Sequence, residues 1–174
     1  MVIRCRNLII PKIRCYFNVN ALFIIAILID NSGIWDSYPA GKVEIFINIG
    51  TNDIASPDYC LDKLMERYEK IIAEIQSELT KVIIYMMAYY PGNETDKLTG
   101  KKEELMFVTR TNKNIDIANA AVERLAEKMG CCFIDVNEGL KDESGKLRKE
   151  FTVEGIHMYA NGYQVVLNNL KKYL

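Results

Sequence analysis

The spacing of apolar residues changes repeatedly along this chain, and each change marks an element. Val43-Glu-Ile-Phe-Ile-Asn-Ile49 is rich in β-branched and aromatic residues and is closed by Gly50, which predicts a strand. Leu61, Leu64, Met65, Tyr68, Ile71, Ile72, Ile75 and Leu79 then recur every three or four residues. That period predicts a helix over roughly residues 58–79, opened by Pro57 and Asp58. Lys81-Val-Ile-Ile-Tyr-Met-Met87 predicts a second strand, stopped by Tyr90-Pro91-Gly92. Residues 93–106 are polar and charged and read as a surface excursion. Ile115, Ile117, Ala118, Ala121, Val122, Leu125 and Met129 predict a helix from about Arg110 to Met129, with Gly130 as its C-terminal cap. Cys131-Cys-Phe-Ile-Asp-Val136 reads as a third strand, Asp142-Glu-Ser-Gly145 as a turn, and about Asn161 to Tyr173 as a closing helix.

Strands therefore alternate with helices long enough to cross over between parallel neighbours. The expected fold class is α/β, a parallel sheet with helices on both faces. Ligands bind such sheets outside the carboxyl ends of the strands. The segments to watch are thus Gly50 to Asp53, Tyr89 to Gly92, Asp135 to Glu138 and the loop before the last helix.

The chain before residue 43 is different in kind. Ala21-Leu-Phe-Ile-Ile-Ala-Ile-Leu-Ile29 is an unbroken apolar run. It reads as a buried strand, while the basic residues before it keep a signal-peptide or anchor reading open. It is about half the ~20 residues a membrane span needs, so no stable span is expected. Residues 1–29 hold Arg4, Arg6, Lys12 and Arg14 and no acid, yet the net charge of the 174 residues is only −1. The small total is the sum of a basic N-terminal segment and an acidic remainder. Nothing in it favours nucleic acid as a partner. The division expected is an atypical segment over 1–42 and a domain over 43–174. Five cysteines without a C-x-x-C pair give neither a disulfide framework nor a zinc site. A reducing, cytoplasmic setting is the corresponding expectation.

Two segments carry candidate chemistry. In Ile49-Gly-Thr-Asn-Asp53 the glycine permits a sharp turn at the strand end, and Asn52 offers an amide with two donors. Read alone, this is an Asx turn with an Asp helping the next helix start. In Thr152-Val-Glu154-Gly-Ile-His157, the chain's single histidine follows a carboxylate by three residues. A carboxylate there can fix the imidazole tautomer and stabilise the imidazolium. Read alone, this is equally a surface histidine near a helix start.

In order, Gly50-Thr-Asn-Asp53 and Glu154-Gly-Ile-His157, the latter followed by Asn161-Gly-Tyr163 and an amphipathic helix, resemble two motif blocks of the SGNH hydrolases. These are the GDSL-type esterases and lipases, or acylhydrolases. The resemblance covers roughly residues 43–174. It implies a flavodoxin-like three-layer α/β/α sandwich with a five-stranded parallel sheet, its N-terminal part missing or altered here. It implies a small-molecule ester as substrate, such as a small acyl ester, an acylated sugar or a lysophospholipid-like ester. No metal or organic cofactor is implied. His157 would be the general base and Asn52 an oxyanion donor. Glu154 would stand where the family's acid is usually Asp, one methylene longer. Tyr90 and Pro91 would shape the substrate pocket.

The family's nucleophile lies in a Gly-Asp-Ser motif, and this sequence has none. Two partial matches compete. Ile29-Asp30-Asn31-Ser32 resembles a degraded nucleophile block, with Ser32 as the nucleophile. Its weakness is that only residues 33–42 remain for a crossover that needs a dozen or more. Asn31-Ser32-Gly33-Ile34 instead resembles the family's second block, with Gly33 as the second oxyanion donor. The nucleophile would then come from residues 1–20, which hold no serine. A further reading follows: the same fold without a working nucleophile, acting as a binding module or without activity. A domain lacking its first strand would expose a sheet edge and favour self-association.

Overall fold

The structure, a computed structural model, describes residues 22–23, 43–79, 81–94 and 107–173. Strand β1 (Leu22–Phe23) is followed by β2 (Val43–Ile49) and the single-turn helix α1 (Thr51–Ile54). Helix α2 (Leu61–Glu78), β3 (Val82–Met87), α3 (Asn112–Met129), β4 (Cys132–Ile134) and α4 (Ala160–Leu170) complete the order. Short 3₁₀ turns at Lys149–Phe151 and Lys171–Tyr173 flank the last helix.

Among the described residues the sheet has the order β1-β2-β3-β4. β2 and β3 pair in parallel from Val43↔Val82 to Ile47↔Met86, and β3 and β4 from Tyr85↔Cys132 to Met87↔Ile134. This is the parallel α/β sheet that the hydrophobic pattern predicts. One pairing departs from it. Leu22 and Phe23, part of the apolar run 21–29, lie antiparallel to β2, opposite Ile49 and Asn48. The rest of that run lies outside the described residues, as do Ser32 and Gly33.

Strand alternation sorts the core into two layers. Ile45, Ile47, Ile49, Ile84 and Met86 meet α2 and α3 through Leu64, Tyr68, Ile72, Ile115, Val122 and Leu125. Phe46, Met87 and Ile134 point the other way and meet Leu140, Leu147, Val166 and Leu170. Burying one such side chain is worth about 1.5–3 kcal/mol, so these faces decide the register. Three layers result: α2 and α3, the sheet, then α4.

Several boundaries differ from the pattern. Helix α2 starts at Leu61, because Ser56–Tyr59 close a turn of their own through Tyr59 N–H to Ser56 O at 3.0 Å. Gly130 caps α3 in the left-handed region, φ +65°, as its position predicts. Asn93 is not on a surface excursion but is 1% exposed, since its amide is spent inside the fold. No helix among the described residues is long and apolar enough to cross a membrane.

Candidate active site

The acid–base turn is built by a small hairpin before α4. Thr152 and Met158 form an antiparallel bridge, and Val153 N–H donates to His157 O at 2.9 Å. The Thr152 hydroxyl accepts from Gly155 N–H at 2.7 Å and donates to His157 O at 3.1 Å. These bonds bend the chain so that residue 154 meets residue 157. Oε1 of Glu154 accepts from the His157 backbone N–H at 3.0 Å and is hydrogen-bonded to His157 Nδ1. The Glu154 side chain is only 10% exposed, whereas the His157 side chain is 66% exposed. A largely buried carboxylate thus holds one ring nitrogen while most of the histidine side chain is exposed.

Gly155 lets this turn sit deep. It has φ +93°, and a Cβ there would lie 2.2 Å from Asn93 O and 2.9 Å from the Phe107 ring. Its carbonyl accepts from Asn93 N–H at 2.7 Å. The histidine turn is therefore bonded to the chain just after β3.

The second expected element follows β2. Gly50 has φ +96°, and a Cβ there would lie 2.5 Å from Leu64 and 2.9 Å from the Tyr89 hydroxyl. Buried Ile54 anchors α1 below, while Asn52 is exposed on its surface. The Asp53 carboxylate pairs with Arg67 at 2.8 Å, which ties this turn to α2. Asn52 and His157 thus both lie at the carboxyl-end side of the sheet, Asn52 directly after β2 and His157 through the Gly155–Asn93 bond to the end of β3.

The segment from Tyr89 to Asn93 joins the two. Helix α3 grips it with two asparagines. Asn119 accepts from Tyr89 N–H at 2.7 Å, and Asn112 bonds both the N–H and the carbonyl of Gly92, at 2.8 and 2.9 Å. Asn137, after β4, donates to Tyr89 O at 3.1 Å, and Asn93 donates to Leu147 O at 2.7 Å. Tyr90 and Pro91 face different ways. Tyr90 packs with the second core layer, where burial and nearby Tyr163 push its hydroxyl pKa up. Pro91 lines a small cleft with Tyr89, Ile115 and Asn119.

Arg110 is a residue that pattern reading treats only as the start of a helix. It is 2% exposed, donates to Tyr90 O at 3.3 Å, and its Nε and Nη1 have no hydrogen-bond partner among the described residues. Burial lowers its pKa to about 10. No group of three or more His, Cys, Asp and Glu side chains among the described residues is arranged to hold a metal ion.

Three layers, with a Gly-Thr-Asn-Asp turn and a carboxylate-supported histidine at the carboxyl-end side of the sheet, define an SGNH-type hydrolase fold. Residues 34–165 match the GDSL-like lipase/acylhydrolase family, and the chain belongs to that family. It is 27% identical over 126 residues to the N-acylneuraminate cytidylyltransferase of Escherichia coli O18:K1:H7, covering 72% of this chain and 27% of that protein. Among solved structures it is similar to a Streptococcus pneumonia protein described as a platelet activating factor. That match has 31% identity and a TM-score of 0.66, over 75% of this chain and 58% of the other. A GDSL-like lipase from Bacteroides thetaiotaomicron shares the fold at 20% identity and a TM-score of 0.58, over 74% of this chain and 60% of the other. The chain thus spans less than two thirds of the length of these relatives.

Proposed function

We propose that the chain hydrolyses carboxylic esters by a serine–histidine mechanism, for which the domain 43–174 supplies the base, its carboxylate partner and an oxyanion donor. The observation that supports this most is the Glu154–His157 pair, with Nδ1 held by a largely buried carboxylate and most of the histidine side chain exposed. His157 Nε2 takes the proton of a serine hydroxyl as its oxygen attacks the ester carbonyl. The carbonyl oxygen becomes an oxyanion that Asn52 stabilises by donating from its side-chain amide. The C–O bond to the alcohol then breaks, and His157 returns its proton to the departing alkoxide. Water, deprotonated by the same imidazole, hydrolyses the acyl-enzyme and regenerates the serine. Glu154 remains a carboxylate throughout and balances the imidazolium charge.

Ser32 is the candidate nucleophile, and Gly33 is the alternative role for the same stretch as second oxyanion donor. Substrates of the size of small acyl esters, acylated sugars or lysophospholipid-like esters suit this assignment, with Tyr90 and Pro91 near the site. The direct test is hydrolysis of p-nitrophenyl acetate by the purified chain and by His157→Ala. Loss of activity in the variant is expected, and equal rates would overturn the role of His157. A second reading, a family member without a nucleophile, is favoured by the absence of Gly-Asp-Ser. A fluorophosphonate probe separates the two: covalent capture at Ser32 supports the esterase, and no labelled serine supports the binding module.

A further inference from the structure

We propose that Tyr89 is a positioning residue for the oxyanion donor Asn52, an inference that rests on the esterase reading above. Tyr89 is 1% exposed, and its hydroxyl donates to Ile49 O at 2.6 Å. Ile49 is the last residue of β2, and the next residue is the left-handed Gly50. A short hydrogen bond thus fixes the peptide from which the Asn52 turn departs. The same hydroxyl lies 2.9 Å from the place of a Gly50 Cβ, so turn and phenol are packed against each other. The phenol is itself held. Its backbone N–H is bonded to Asn119 on α3, and its carbonyl accepts from Asn137 after β4. Burial, with the charge of Asp53 adding to it, raises the hydroxyl pKa, which keeps the proton available for donation.

The geometry has a functional consequence. An oxyanion donor is effective only when its N–H is already aimed at the place where charge develops. Asn52 is exposed on the single helical turn α1, which departs from the Gly50 peptide. The bond from Tyr89 to Ile49 holds the base of that turn from the core side. Removing it leaves the turn in place but loosens the angle at which Asn52 is presented. Ground-state binding of the ester is little altered, because the contact to Asn52 strengthens as the oxyanion forms.

The test is a double-mutant cycle on p-nitrophenyl acetate hydrolysis with Tyr89→Phe, Asn52→Ala and the double variant. The folded fraction of each is measured by circular dichroism, so that kcat refers to folded molecules. Tyr89→Phe is expected to lower kcat about tenfold with KM within about twofold, a fraction of the ~10²–10³ that loss of one donor costs. In the Asn52→Ala background the same change is expected to alter kcat by less than about twofold, because its effect passes through Asn52. Gly50→Ala, which crowds the same hydroxyl, is expected to give the same split between kcat and KM. Equal factors in both backgrounds, or full kcat for Tyr89→Phe, would overturn the role of Tyr89 while leaving the esterase standing. A wild-type chain without hydrolysis would overturn the esterase reading and this one with it.

Discussion

Replacing Gly155 by alanine measures how firmly the histidine turn is seated. The residue has φ +93°, a region that costs an L-residue about 1–3 kcal/mol. The new methyl would meet Asn93 O at 2.2 Å, and that atom is backbone with nowhere to swing. Overpacking of this kind costs about 1–3 kcal/mol. Relief by moving the turn would stretch the bond from Asn93 N–H to Gly155 O, now 2.7 Å, and an unsatisfied buried donor costs about 1–3 kcal/mol. The low ends of these ranges together reach about 3 kcal/mol, a large share of the about 5–15 kcal/mol that holds a domain. Urea unfolding followed by circular dichroism should show a midpoint lowered by about 1–3 M, given slopes of about 1–3 kcal/mol/M. Gly130→Ala is the matched control. It also has positive φ, +65°, but nothing lies within 4 Å of its would-be Cβ. It should cost only about 1 kcal/mol of backbone strain. Equal midpoints for the two variants would refute the claim that contact with Asn93 seats the turn.

Two further outcomes follow from the same contacts. Glu154→Gln keeps the size of the side chain but removes the charge facing His157 Nδ1, and should lower kcat for p-nitrophenyl acetate on the order of 10²–10⁴. Glu154→Asp should recover part of that loss, and a Glu154→Gln rate within about twofold of wild type would sink the pairing. Arg110 is a buried cation whose pKa falls to about 10, a cost of about 3 kcal/mol at ~1.36 kcal/mol per pKa unit. Its folded pKa lies below the unfolded one, so this cost is complete at neutral pH and is relieved only as pH rises above about 10. Arg110→Met gives up one bond to Tyr90 O worth about 1 kcal/mol, and should therefore raise neutral-pH stability by about 1–2 kcal/mol. Destabilisation in a thermal melt would show that the guanidinium is compensated.

Local pattern carried much of the fold. β2, β3 and the Gly130 cap are read from a few neighbouring residues, and each is held mainly by the period of its own apolar side chains. The start of α2 was less legible. Pro57 and Asp58 favour a helix start, but the competing turn over Ser56–Tyr59 delays it to Leu61. The single-turn α1 has too few residues to show a period at all. Within the site, Glu154 and His157 are close in sequence, so spacing alone announces them. Asn93 and Gly155 are 62 positions apart and meet through backbone atoms, which residue types do not reveal. Arg110 reads in sequence only as the start of a helix, because its burial comes from tertiary contact: a Cβ on Gly92, 18 positions earlier, would lie 3.3 Å from its Nη1. Antiparallel pairing of Leu22 and Phe23 is likewise a matter of direction, to which composition is blind.

Two asparagines on one helix, Asn112 and Asn119, bond the backbone at Gly92 and Tyr89 much as a neighbouring strand would. The sheet's last rungs are in effect supplied by a helix. Tyr89 reaches the Asn52 turn from that segment, and Asn93 reaches the His157 turn. Local opening of the start of α3 would therefore release both halves of the site in one event, making it a single cooperative unit rather than two independently fraying loops.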